Sequence, residues 1–282
     1  MARWWNARRF DVIELSLAAL AVGLIVWWFP RPNRAQLDYV VYSAAQETAN
    51  LAQQYGPHRY SRHEEEWVIR DYFQDRRGGY FVDVGANHHE KESNTFFLET
   101  RLEWSGLAVD PQSSFAEGYR RYRPRTRFFP LFVSDVSNAS AKLYLVPDNP
   151  LVASADRQFA ERHGTEVKDR ISESHPVTVP TIRLTDLLDL AGAPHVDLLS
   201  IDVELAEPKV LAGFDIDRFQ PSLVCIEAHR LLRQTILNYF AAHRYVALGR
   251  YLRADLQNLY FAPLERTPDD QHRAAEPDGD SR

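Results

Sequence analysis

The stretch "GGYFVDVGANHHEKESNTFFLE", residues 78–99, decides how this chain is read. "YFVDV" is aromatic and β-branched apart from one acid, the composition of a strand covered on both faces. Gly85 then permits a tight turn. Asn87 and two adjacent histidines, His88 and His89, fill the loop. "NTFFLETRL" takes up a helical pattern, with Ser93 or Asn94 as its expected N-cap. Strand, glycine turn and helix open a parallel α/β sheet, whose ligands collect beyond the carboxyl ends of the strands.

Working outward, the same alternation continues. "GLAVD" is a strand and "SSFAEGYRRY" a helix; "TRFFPLFVSD" is read as one strand, and "AKLYLVP" as an extra one. Later come "LTDLLDLA" (helix), "HVDLLSIDV" (strand), "AEPKVLAGF" (helix), "PSLVCIEAH" (strand) and "LLRQTILNYFAAH" (helix). "YVALGRYL" and "LQNLYFAP" close the fold as a hairpin. Upstream, "HEEEWVIRDYFQD" is a helix, and a connecting helix is expected over roughly 35–54. The expected fold is α/β, a mostly parallel Rossmann-like sheet with helices on both faces, over residues 58–264. A linker at 30–57 precedes it and a charged, disordered tail at 265–282 follows.

Net charge is −6, which argues against nucleic acid as a partner. The single cysteine, Cys225, excludes an intramolecular disulfide and speaks against a zinc cluster. Two neighbouring histidines rarely chelate one ion, so no metal is assigned to the loop.

Residues 12–29, "VIELSLAALAVGLIVWWF", are about as long as a short spanning helix. Glu14 is their sole charge, and Trp4, Trp5, Trp27 and Trp28 flank or end the run as interfacial residues do. The small residues lie inside the run and bulky "WWFPRP" follows it, so an uncleaved single-pass anchor is expected in preference to a signal peptide. Arg3, Arg8 and Arg9 precede the run and Arg31 and Arg34 follow it, a one-arginine bias toward an outside domain.

The site is expected at the strand ends. Asp83, Gly85 and Asn87 follow the first strand. Asp110 ends the second and can accept two hydrogen bonds from a ribose diol. Ser134 and Asp135 end what is read as the third. The G-x-G-x-x-G that brings backbone against a pyrophosphate is missing, which disfavours a nicotinamide dinucleotide. A nucleoside cofactor without phosphates, such as S-adenosylmethionine, needs no such approach.

The blocks "FVDVGAN", "SNTFFLE", "WSGLAVDP", "VSD", "IDVELAEPKVLAGF" and "LVCIEAH" resemble the FkbM family of S-adenosylmethionine-dependent methyltransferases, over about residues 61–262. The resemblance implies a class I methyltransferase fold and methyl transfer to a hydroxyl of a sugar, glycolipid or other small molecule. It places Asp83, Gly85, Ala86 and Asn87 around the methionine part of the cofactor, Asp110 on the ribose, and Ser134 with Asp135 on the adenine. A cytosolic cofactor puts the catalytic domain on the cytosolic side of the membrane, against the weak charge bias. One departure stands out: the family commonly reads D-V-E-G-A-E, and Leu205 occupies the glycine position here. Leu205 and the charge bias motivate the rival expectation of a non-catalytic, membrane-tethered binding or trafficking module.

Methyl transfer requires the acceptor oxygen to be aligned and its proton removed. Asp202 and Glu204, spaced i, i+2, are expected to point to one side of a continuing strand. Glu227 and His229 repeat the spacing. Glu204 and His229 are the candidate bases, with Asp202 beside them.

Overall fold

The computed structural model describes residues 34–144, 176–193 and 195–264, with side chains from residue 45 onward. The expected anchor at 12–29 and tail at 265–282 lie outside the described residues. Among the described residues, no helix is long and apolar enough to cross a membrane. The chain divides into two compact units, Met1–Gln46 and Glu47–Arg282. Of the first unit only the start of helix α1, Arg34–Tyr55, is described. The second unit holds both sheets.

Its centre is a seven-stranded sheet of order β3-β2-β1-β7-β8-β10-β9. The strands are β1 Tyr80–Val84, β2 Ser105–Val109, β3 Thr126–Phe129, β7 Leu198–Ile201, β8 Leu223–Glu227, β9 Tyr245–Ala247 and β10 Asn258–Pro263. Neighbours from β3 to β8 are parallel. β10 runs antiparallel to both β8 and β9, the closing hairpin expected from the pattern of residues. A smaller sheet, order β4-β6-β5, is built from β4 Phe132–Ser134, β6 Val177–Arg183 and β5 Ser140–Leu143.

The two-residue period of each strand divides the core between the sheet faces. Val82, Val84, Leu107, Val109, Leu199, Ile201, Val224 and Ile226 belong to one apolar layer. It is completed by helices α5 Leu184–Ala191, α6 Glu207–Ala212, α7 Ile216–Phe219 and α8 Arg233–Ala242. Phe81, Leu198, Leu223, Cys225 and Tyr260 belong to the other, with Trp104 and helices α2 Glu65–Phe73 and α3 Phe96–Leu102. Helix α4, Ala116–Tyr122, packs Tyr119 against Ala86 and Ala108.

Three expectations are corrected. "TRFFPLFVSD" is two strands in two sheets. Pro130 has no amide to give to a ladder, and the chain turns there, with Leu131 N donating to Phe129 O at 2.9 Å. Strand β6 has no counterpart among the expected strands, because Pro180 interrupts "VTVPTIR". The fourth parallel strand ends at Ile201, so Asp202 and Glu204 stand on a turn and not on a strand continuation.

Candidate functional site

A hollow opens at the carboxyl ends of β1, β2 and β7, enclosing about 960 Å³ counted out to open solvent. Its floor is the loop after β1. Gly85 N and Ala86 N both donate to Val109 O, at 2.9 and 3.2 Å, which folds the loop back over β2. Gly85 has φ +81°, and a β-carbon there would stand 1.7 Å from the Asp202 carbonyl oxygen. The glycine therefore serves close backbone contact between the ends of β1 and β7, where the sequence pattern suggests approach to a ligand.

Asn87 continues the loop in a left-handed conformation, φ 50°. Its amide donates to Asp110 Oδ2 at 3.2 Å, and Gln112 N donates to Asp110 Oδ1 at 2.8 Å. Asp110 is thus fixed at the end of β2, with one lone pair on each oxygen still available. Burial pushes its carboxyl up to about 6 against those two amides. The side-chain Oδ1 of Asn87 is buried with no hydrogen-bond partner, and Asn87 lines the hollow.

Asp83 sits one layer beneath. It accepts from the Thr95 hydroxyl at 2.8 Å. Burial raises its carboxyl, and the Thr95 bond and the Arg123 charge oppose the rise. Arg123 is 1% exposed, a position a guanidinium holds only when its donors are satisfied. It pairs with Glu99 and donates to His89 O at 2.9 Å, Thr95 O at 3.2 Å and the Thr95 hydroxyl at 3.1 Å. These bonds tie the loop to α3.

The histidines complete that scaffold. His89 stacks between His88 and Tyr122, with ring centroids 4.1 and 5.0 Å apart, over Gly118. His88 Nδ1 accepts from the amides of Glu90 and Lys91 at 3.1 and 3.0 Å. Both imidazoles are shifted down, first by burial. Among the described residues, no three His, Cys, Asp or Glu side chains are grouped to hold a metal.

The far rim is acidic. Asp202 and Glu204 line the hollow together with Glu65 and Glu92, and Arg62 is the cation on that rim. Glu204 and Leu205 both have positive φ, 52° and 76°. The turn between β7 and α6 is thus left-handed at the position where the family usually carries glycine, and it forms with leucine in place. Asp202 is hemmed in by protein yet its side chain is open to the hollow. Its carboxyl is raised by that crowding and by Glu227. Glu204 is raised by burial, then by Asp202 and Glu227. Glu207 at the start of α6 is buried outright and is raised to about 7.

Not every expected residue arrives. Ser134 and Asp135 fall outside the lining: Ser134 is buried and donates to Asp135 Oδ1 at 2.9 Å, and Asp135 is exposed. Their place is taken by Leu131, Phe132 and Val133. His229 is exposed beyond β8, its carbonyl accepting from Leu232 N and Arg233 N at 2.8 and 3.0 Å. That is a helix-start role. Arg62 and Glu65 escape a sequence reading because they precede the sheet by many residues. Glu65 is 5% exposed and held by Asn258 Nδ2 at 2.9 Å; three consecutive glutamates read as a solvated face. Trp67 directly behind them is the available sign of burial.

A mostly parallel sheet with a loop-floored hollow at its carboxyl edge and an acid at the end of β2 defines an α/β protein whose candidate ligand site lies where such sheets bind ligands. The chain matches the family described as Methyltransferase FkbM domain over residues 83–247, and it belongs to that family of methyltransferases. No curated protein and no solved structure matches it.

Proposed function

We propose that this protein is an S-adenosylmethionine-dependent O-methyltransferase acting on a hydroxyl of a sugar, glycolipid or small metabolite, anchored in a membrane by residues 12–29 with its catalytic domain on the cytosolic side. The observation that carries the reading is the hollow itself, where Asn87 and Asp110 are joined by a hydrogen bond at the ends of adjacent parallel strands. The residues present fit the cofactor. Asp110 keeps acceptor capacity on both oxygens for a ribose diol, and Asn87 Oδ1 is a buried acceptor in want of a donor. Leu131, Phe132 and Val133 offer an apolar wall for a purine. Gly85 and Ala86 present backbone to the amino-acid part. When bound, the cofactor supplies a methyl group activated by a sulfonium.

The chain's own contribution is alignment and proton removal. Glu204 lies on the rim and is assigned as the base. Burial first, then Asp202 and Glu227, raise its carboxyl to about 9, so the ionised form that takes a proton from an alcohol, and turnover with it, grows as pH rises toward that value. Asp202 faces the same space and is assigned to hold the acceptor hydroxyl. His229 is given no part in this scheme because it stands outside the hollow.

The full chain, incubated with methyl-labelled S-adenosylmethionine and a panel of polyhydroxylated acceptors, is expected to yield a labelled ether. Glu204→Gln should lower turnover roughly 10²- to 10⁴-fold while cofactor binding persists. A Glu204→Gln chain as active as the parent would remove Glu204 from this role.

A further inference from the structure

The carboxyl edge carries a second feature that methyl transfer does not use. β10 is antiparallel to β8 and Asn258 faces Glu227, so the loops 228–232 and 252–257 rise side by side. Ala228 N donates to Gln257 O at 3.0 Å and clasps them. On these loops Leu231 is 74% exposed, Leu256 76% and Leu252 39%. Such leucines add little to the core, and clustered ones mark an interaction surface.

The exposed charge on and beside these loops has one sign. Arg230 and Arg233 bracket Leu231, and Arg250 and Arg253 bracket Leu252. The acid in these two stretches, Asp255, is buried beneath bonds from Gln257 N, Asn258 N and the Tyr260 hydroxyl. Arg250 pairs with Asp71, and Arg253 lies 3.7 Å from Glu47. Among the described residues, Arg230 and Arg233 form no ion pair. The patch is cationic on a chain whose net charge is −6.

We propose that this leucine-tipped, arginine-flanked rim is a contact surface for an anionic lipid bilayer. Apolar tips suit the boundary between headgroups and acyl chains, and arginine forks suit lipid phosphates. Two unpaired arginines alone bind a charged surface weakly. The anchor proposed above at 12–29 is the second signal that stable attachment needs, and the inference rests on that reading in this respect. The proposal does not depend on methyl transfer.

Cys225 is buried, so a polarity-sensitive fluorophore reports from Leu256→Cys alone in the full chain. Phosphatidylserine-containing vesicles are expected to shift its emission to the blue, with quenching by spin-labelled lipid; pure phosphatidylcholine vesicles are not. Leu231→Cys should behave alike. Arg230→Glu with Arg233→Glu should raise the half-saturating lipid concentration by roughly 30-fold or more. A label at Arg77→Cys, exposed at the opposite edge of the sheet, should stay aqueous throughout. The proposal is overturned by an unshifted label on anionic vesicles, by equal shifts on both lipids, or by an equal shift at Arg77→Cys. A shift without lipid that grows with protein concentration would assign the patch to a second copy of the chain instead.

Discussion

Gly85 and Asp202 are in backbone contact: a β-carbon added to the glycine would stand 1.7 Å from the aspartate's carbonyl oxygen. The loop after β1 and the acidic rim are therefore one mechanical unit. Gly85→Ala must both enter a left-handed conformation and push the two strand ends apart. It should cost about 3 kcal/mol or more, summing strain and overpacking. Urea denaturation checks this, and a loss below about 0.5 kcal/mol, ordinary for a surface change, would show that the contact is yielding.

Leu205 offers the opposite case. At φ 76° a leucine bears about 1–2 kcal/mol of backbone strain. Leu205→Gly relieves it and adds about 0.5–1 kcal/mol of chain entropy to the unfolded state. The melting temperature should stay level or rise, where leucine-to-glycine changes normally lower it. A fall of many degrees would mean that the side chain packs more than its backbone strains.

Arg123 and Glu99 are 0% and 3% exposed in their side chains, an ion pair removed from water. Arg123→Met strands the carboxylate and frees the loop at His89 and Thr95. The expected loss is about 3–5 kcal/mol, measured by thermal or chemical unfolding. Adding Glu99→Gln should recover part of it, and a double variant no more stable than the single would contradict the pairing argument.

The buried acids at and beside the hollow are displaced upward. Asp83, Asp110 and Glu207 are buried, and all three hold protons more tightly folded than unfolded. A raised carboxyl contributes stability that is present at low pH and lost as pH climbs through the folded value. Asp110 loses it near pH 6 and Glu207 near pH 7. The free protein should therefore be more stable near pH 5 than near pH 8, and a stability that climbs across that window would contradict these shifts.

Much of this is legible in the sequence, and the failures have physical causes. Parallel strands buried on both faces read as unbroken apolar runs, so the ends of β1 and β2, with Asp83 and Asp110, are found directly. The run through Pro130 looks equally continuous, but proline cannot continue a ladder, and this moves Ser134 into the small sheet and Asp135 just past its end. The i, i+2 argument for Asp202 and Glu204 chooses the right residues on the wrong geometry: a left-handed turn, not a strand, brings them to the rim. Arg123 and Glu65 are hard to find because their partners lie 24 and 193 residues away, with Trp67 the local hint for Glu65.

The central claim is that the Asn87–Asp110 hollow holds the adenosine and amino-acid parts of S-adenosylmethionine. Titrating the full chain with this cofactor in a calorimeter tests it most directly. Saturable one-site heat is predicted, with affinity reduced roughly 10- to 100-fold in Asp110→Asn, as loss of charged hydrogen bonds requires, and nearly unchanged in His229→Ala. Absence of heat from the parent chain, or binding indifferent to Asp110→Asn, would contradict the claim.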